Sequence, residues 1–161
     1  MKIDNKGFTL IELLMTIVLL AIVVLVAAPI IGNALNNSKQ KSYDIMISNI
    51  LTASKAYYEE CKYNGTKIGC TIPNENKQIS VTLQELVNYG FLNGSNETIC
   101  NAENVCEVKN IIKNPKEQKD IGSCEIKIKE SITVEGRVSY YVESLSTDDL
   151  CPKTEELGSV S

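Results

Sequence analysis

Apolar positions are distributed unevenly along this chain. From Phe8 to Ile31 almost every residue is Leu, Ile, Val or Ala, with Glu12 near the start and Pro29 near the end. As a helix rising about 1.5 Å per residue, the run would reach roughly 36 Å, enough to cross a bilayer with some tilt. Pro29 removes a backbone donor and crowds the preceding turn, so a kink or melted stretch is expected over residues 25–29. The β-branched run before it tolerates extension. After Gly32 the pattern becomes amphipathic. Tyr43, Ile47, Ile50, Leu51, Ser54, Tyr57, Tyr58 and Cys61 recur at helical spacing, while Lys39, Lys41, Asp44, Asn49, Lys55 and Glu59 fill other positions. The pattern predicts one long helix, an apolar segment over 8–31 continued by an amphipathic one over 32–62. It should stop near Cys61–Gly65, where Asn64-Gly65 is a turn pair.

The remaining residues, 63–161, read as a small globular head. Thr82-Leu83-Gln84-Glu85 is a capping box, and Leu83, Leu86 and Val87 supply one apolar face before Tyr89-Gly90. Val105–Ile112 is a candidate strand. Cys124, Ile126, Ile128, Ile132 and Val134 alternate with polar residues, with Glu130 interrupting the series. Glu135-Gly136 is a candidate turn, and Val138, Tyr140 and Val142 resume the alternation. The expected fold class is α+β: a long N-terminal helix packed on an antiparallel sheet of three or four strands.

Composition narrows the function classes. The chain has 161 residues and a net charge of -4, and no Lys/Arg cluster suggests a nucleic-acid partner. It contains no His, which removes Ser-His-Asp and Cys-His catalysis and any His-ligated metal. No Gly-rich phosphate loop or nucleophile elbow is present either, so the expectation is a protein that is not an enzyme.

The apolar run admits three readings. A secretory signal peptide cut after Ala28 would have a shorter apolar core and no carboxylate within it. A plain membrane anchor fits the length but leaves Glu12 unexplained, and an ionisable group in hydrocarbon costs about 2.5–3.5 kcal/mol at mid-span. The third reading accounts for both. A short leader with Lys2 and Lys6 precedes Gly7-Phe8-Thr9-Leu10-Ile11-Glu12, and this resembles the class III signal of type IV prepilins and pseudopilins. The resemblance implies removal of leader 1–7 by a prepilin peptidase, which cuts between Gly7 and Phe8 and N-methylates Phe8. Glu12 matches the family's assembly glutamate, which pairs with the freed amino terminus within and between subunits. Pro29 matches the family's late proline, whereas Ala21 stands where many filament-forming relatives carry glycine. The segment Leu83–Leu92 also resembles a stretch common in pilin heads, and the implied architecture is the type IV pilin fold.

All six cysteines lie beyond the apolar run, which points to a disulfide framework outside the cytoplasm. Fifteen connectivities are open to them. The expectation is pairing of chain neighbours: Cys61–Cys70, Cys100–Cys106 and Cys124–Cys151. A thiolate zinc site is the rival use, although no C-x-x-C occurs. No cofactor is expected, with calcium near Asp148 and Asp149 as the alternative. The resemblance implies a subunit of a type IV pilus or pilus-like filament, held by a single membrane span with its head outside before assembly. Its partners would be copies of itself, related pilins, the peptidase, an inner-membrane assembly platform and lipid. The alternatives are a pseudopilin of a type II secretion or DNA-uptake system, and a membrane-anchored extracellular binding domain that never polymerises.

Overall fold

The computed structural model describes residues 9–73, 75–102, 104–132 and 134–160. The chain divides into an N-terminal unit through Lys39 and a C-terminal unit from Gln40. One helix, α1 (Leu10–Ile68), contributes to both.

In the N-terminal unit every large apolar side chain from Leu10 to Leu35 is exposed. A helix that is apolar all round belongs in a core or a membrane, and α1 is long and apolar enough to cross one. Of the kink or melted stretch expected over residues 25–29, the unassembled chain shows no melting. Pro29 lies inside the helix, and the one departure from helical dihedrals falls at Asn64 (φ -132°, ψ 24°). A proline deletes a single i→i−4 bond, and the bonds on either side suffice to keep its neighbours helical.

In the C-terminal unit α1 buries Tyr43, Met46, Ile47, Ile50, Ala53, Tyr57, Tyr58 and Cys61 along one face. Fully buried Ser54 shares that face without an orphaned hydroxyl, because its Oγ donates to the Ile50 carbonyl at 2.6 Å. The helix also runs further than Asn64-Gly65 suggested. Asn64 breaks the dihedrals, a further turn follows to Ile68, and Gly69 at φ +70° ends it.

Against this face lies a four-stranded antiparallel sheet ordered β1-β4-β5-β6. Its strands are β1 (Gln78–Thr82), β4 (Glu125–Ile132), β5 (Val138–Ser144) and β6 (Gly158–Val160). Ile126 and Ile128 of β4, and Tyr140 and Val142 of β5, point inward and are buried. Glu130, which seemed to interrupt the alternation, keeps the inward register and is itself buried. Gly136 at φ +77° makes the β4–β5 turn. Helix α2 (Leu83–Asn88) follows β1 directly. Its capping box is closed by Glu85 N donating to Thr82 Oγ1 at 3.2 Å and Thr82 N donating to Glu85 Oε2 at 2.8 Å.

The strand expected over 105–112 is not part of this sheet. As β3 (Cys106–Ile111) it pairs, among the described residues, with β2 (Ser95–Cys100) in a separate two-stranded hairpin, most of whose side chains are exposed. A local pattern can indicate that a segment is extended, but not which sheet it joins. Three disulfides join Cys61–Cys70, Cys100–Cys106 and Cys124–Cys151. The last holds the C-terminal segment with α3 (Thr154–Leu157), whose Glu156 accepts a 2.6 Å hydrogen bond from the Tyr43 hydroxyl.

Candidate functional site

Helix α1 begins at a second capping box. Thr9 receives at its Oγ1 the Glu12 N–H at 3.3 Å, and Thr9 N and Oγ1 donate to Glu12 Oε2 at 3.5 and 3.4 Å. A carboxylate in the first turn also complements the positive end of the helix dipole. The returning bonds are long. At Thr82–Glu85 the same contacts measure 2.8 and 2.9 Å, close to the usual optimum. Glu12 is thus oriented by Thr9 but held loosely, and its second oxygen takes no bond within the described residues. No other ionisable residue lies between Leu10 and Ile31. Thr16, the other polar side chain of this stretch, satisfies itself on the Leu13 carbonyl at 2.8 Å. The start of α1 therefore offers one carboxylate on an otherwise apolar cylinder, able to accept a cation from a partner. The Thr9-x-x-Glu12 spacing is itself a capping-box signal in the sequence.

A family model described as the prokaryotic N-terminal methylation motif matches residues 3–28. The chain carries a prepilin-type methylation signal. This is the class III signal of type IV pilins and pseudopilins, and it contains the capped Glu12. No curated protein and no solved structure matches the chain. A prepilin-type signal on a helix of this kind implies membrane anchoring and processing by a prepilin peptidase before assembly. The expected cut between Gly7 and Phe8 lies outside the described residues. Pro29 stands one residue past the matched motif, within helical backbone.

The head contains a second concentration of charge. Glu130 has a side chain only 4% exposed, with Lys62 Nζ at 2.6 Å from Oε1 and Lys77 Nζ at 3.7 Å from Oε2. The Lys62 hydrogen bond holds the Glu130 carboxyl below the ordinary carboxylate range, outweighing burial, which acts the other way. The same bond raises Lys62. Burial pushes the neighbouring hydroxyls of Tyr58 and Tyr140 up to about 12, with Glu130 adding to Tyr58 and Glu59 to Tyr140. Both hydroxyls remain protonated donors, Tyr58 to the Lys77 carbonyl at 2.8 Å and Tyr140 to Glu59 Oε1 at 3.3 Å.

Asp148 and Asp149 serve local purposes. Asp148 Oδ1 accepts the Leu150 N–H at 3.0 Å, and Asp149 lies 3.8 Å from Lys153 Nζ. Among the described residues no three acidic, His or Cys groups converge as metal ligands, and every cysteine is in a disulfide.

Proposed function

We propose that this chain is a structural subunit of a type IV pilus or pilus-like filament, cut after Gly7, N-methylated on Phe8 and assembled through the apolar part of α1. The observation that carries the reading is the coincidence of the methylation motif over residues 3–28 with the all-round apolar part of α1, Leu10 to Ile31, whose one carboxylate sits in the first turn. Cleavage creates an α-amino cation beside that carboxylate. In hydrocarbon an unpaired Glu12 is costly, whereas one paired with the amino terminus of a neighbouring subunit is neutralised at close range. The difference drives each new copy to dock in register. The loose internal bonds from Thr9 favour this exchange, because little is lost when Glu12 turns to a partner.

Before assembly the chain is anchored in the cytoplasmic membrane with its disulfide-stapled head outside. An inner-membrane platform then feeds it into the filament with its own copies and related pilins. The role is structural rather than catalytic. Pseudopilin function uses the same processing and docking, and no feature of the head favours it.

Glu12→Gln tests the docking step. The variant keeps a side chain able to cap the helix but loses the charge. Folding and cleavage should be unchanged, while its share of the sheared surface-filament fraction should fall at least tenfold relative to the membrane fraction. Incorporation at the wild-type level would overturn the role given to Glu12.

A further inference from the structure

Residues 69–73 fold back on the end of α1 and, with Lys77 and Glu130, border an open cavity of about 460 Å³. Small-molecule sites commonly occupy roughly 300–1,000 Å³. The walls are fixed by covalent and backbone contacts. The Cys61–Cys70 disulfide closes one side, and Cys70 N donates to the Gly65 carbonyl at 3.0 Å. Glycine is required at that approach, since a Cβ on residue 65 would stand 2.5 Å from the Cys70 carbonyl oxygen. Opposite, the Tyr58 hydroxyl holds the Lys77 backbone.

Charge within the cavity is unbalanced. Among the described residues Lys62, Lys77 and Glu130 line it, so two ammonium groups face one carboxylate, for a net charge of +1. Both oxygens of Glu130 are engaged, and its side chain is only 4% exposed. The lysine side chains are 41% and 53% exposed, and each ammonium has three donors. Their unused donors are what the cavity offers to a visitor. Ile72 and Pro73 add an apolar wall, and the ring of Tyr63, 77% exposed, stands at the rim. Positive charge beside an apolar and aromatic wall suits an anionic group carried on a ring. A cationic ligand would meet two ammonium groups and a carboxylate already occupied.

We propose that this cavity binds a small ring-bearing carboxylate of the uronic-acid type, its carboxylate held by Lys62 and Lys77 and its ring against Ile72, Pro73 and Tyr63. The site goes beyond filament assembly and does not depend on it, because it is built entirely from residues of the C-terminal unit. Inorganic phosphate would engage the same ammonium groups without the ring wall, so comparing the two ligands separates charge from shape.

The test is a ¹H–¹⁵N NMR titration of the full-length chain in detergent micelles with D-glucuronate, D-glucose and inorganic phosphate. Glucuronate should give saturable shifts at the amides of Tyr63, Thr71, Ile72 and Lys77, phosphate should bind several-fold more weakly, and glucose should give none. Lys77→Gln retains the Lys62–Glu130 contact and so should keep the wild-type spectrum elsewhere. It should weaken glucuronate binding roughly tenfold, the loss expected for one charged hydrogen-bond donor. Absence of saturable shifts with glucuronate, equal binding of glucose, or unchanged affinity in Lys77→Gln would overturn the proposal. Phosphate binding as tightly as glucuronate would overturn the part assigned to the ring wall.

Discussion

Replacing Lys62 with methionine keeps the aliphatic stem of the side chain and removes its charge, leaving Glu130 buried with only Lys77 nearby. Glu130 is 4% exposed and loses a contact of 2.6 Å, while Lys77 stands at 3.7 Å. Stripping one partner from a fully buried ion pair costs about 3–5 kcal/mol. Two features reduce that here: Lys62 is 41% exposed, so water already screens the pair, and Lys77 can move closer. A loss of about 1–3 kcal/mol remains, which for a head of this size lowers Tm by roughly 3–10 °C. Glu130→Gln should cost less, because it removes the buried charge and leaves two lysines that reach solvent. The pH dependence has a definite sign. Glu130 is depressed in the folded state, so its contribution is complete above the unfolded carboxylate value near ~4.3 and is lost as pH falls through the lower folded value. Lys62 is raised, so its contribution holds below ~10.4 and is lost as pH rises through its higher folded value. The deficit of Lys62→Met should therefore be full at pH 7 and narrow as pH falls below the unfolded value near ~4.3 and through the lower folded value of Glu130, where the protonated carboxyl no longer needs a cation. All seven tyrosines lie between Tyr43 and Tyr141, so the tyrosine band of the near-UV circular dichroism of the detergent-solubilised chain follows the C-terminal unit during thermal unfolding. A Lys62→Met variant within about 0.5 kcal/mol of wild type, or a Glu130→Gln variant less stable than Lys62→Met, would refute this account of the cluster.

Other perturbations should separate the supports of the head. Replacing Cys124 and Cys151 together with serine should destabilise it by roughly 3.5 kcal/mol, against roughly 2 kcal/mol for Cys100 and Cys106, because the first bond closes a span of 27 residues and the second one of 6. Denaturant melts of the two double variants compare them, and equal losses would contradict the loop argument. Gly65→Ala places a methyl group against the Cys70 carbonyl oxygen. It should cost about 1–3 kcal/mol and shift the amides of residues 70–72, whereas Gly32→Ala, with open space around it, should be neutral or slightly stabilising.

Strong periodic patterns were legible in the sequence, and long-range pairings were not. The apolar run and the helical recurrence from Tyr43 to Cys61 outlined α1 because burial of one face repeats every three to four residues. Met46 and Ala53 share that face, but a flexible thioether and a lone methyl add little to the pattern. Asn64-Gly65 marked a real break in dihedrals without marking the last helical turn. Strands β4 and β5 followed from alternation. β1 carries only Ile79 and Val81 as its buried pair, and β6 spans only Gly158–Val160. Segments this short have too few positions for a period of two to stand out. Glu130 looked like an interruption because its two cations arrive from elsewhere in the sequence, one on α1 and one just before β1. The same separation hides the cavity they line. At the N-terminus the position of Glu12 was evident, whereas its Thr9 cap is masked by the apolar residues on either side of the Thr-x-x-Glu spacing.

The central claim is that this chain is processed as a prepilin, and the most direct test is the intact mass and N-terminal sequence of the protein recovered from its native cells. The account predicts a chain beginning at N-methylated Phe8, lighter than the fully reduced form by the six hydrogens of three disulfides. A chain still beginning at Met1 would reduce the helix to a simple membrane anchor, and one beginning after Ala28 would make the head a secreted domain. Either result would contradict assembly through α1.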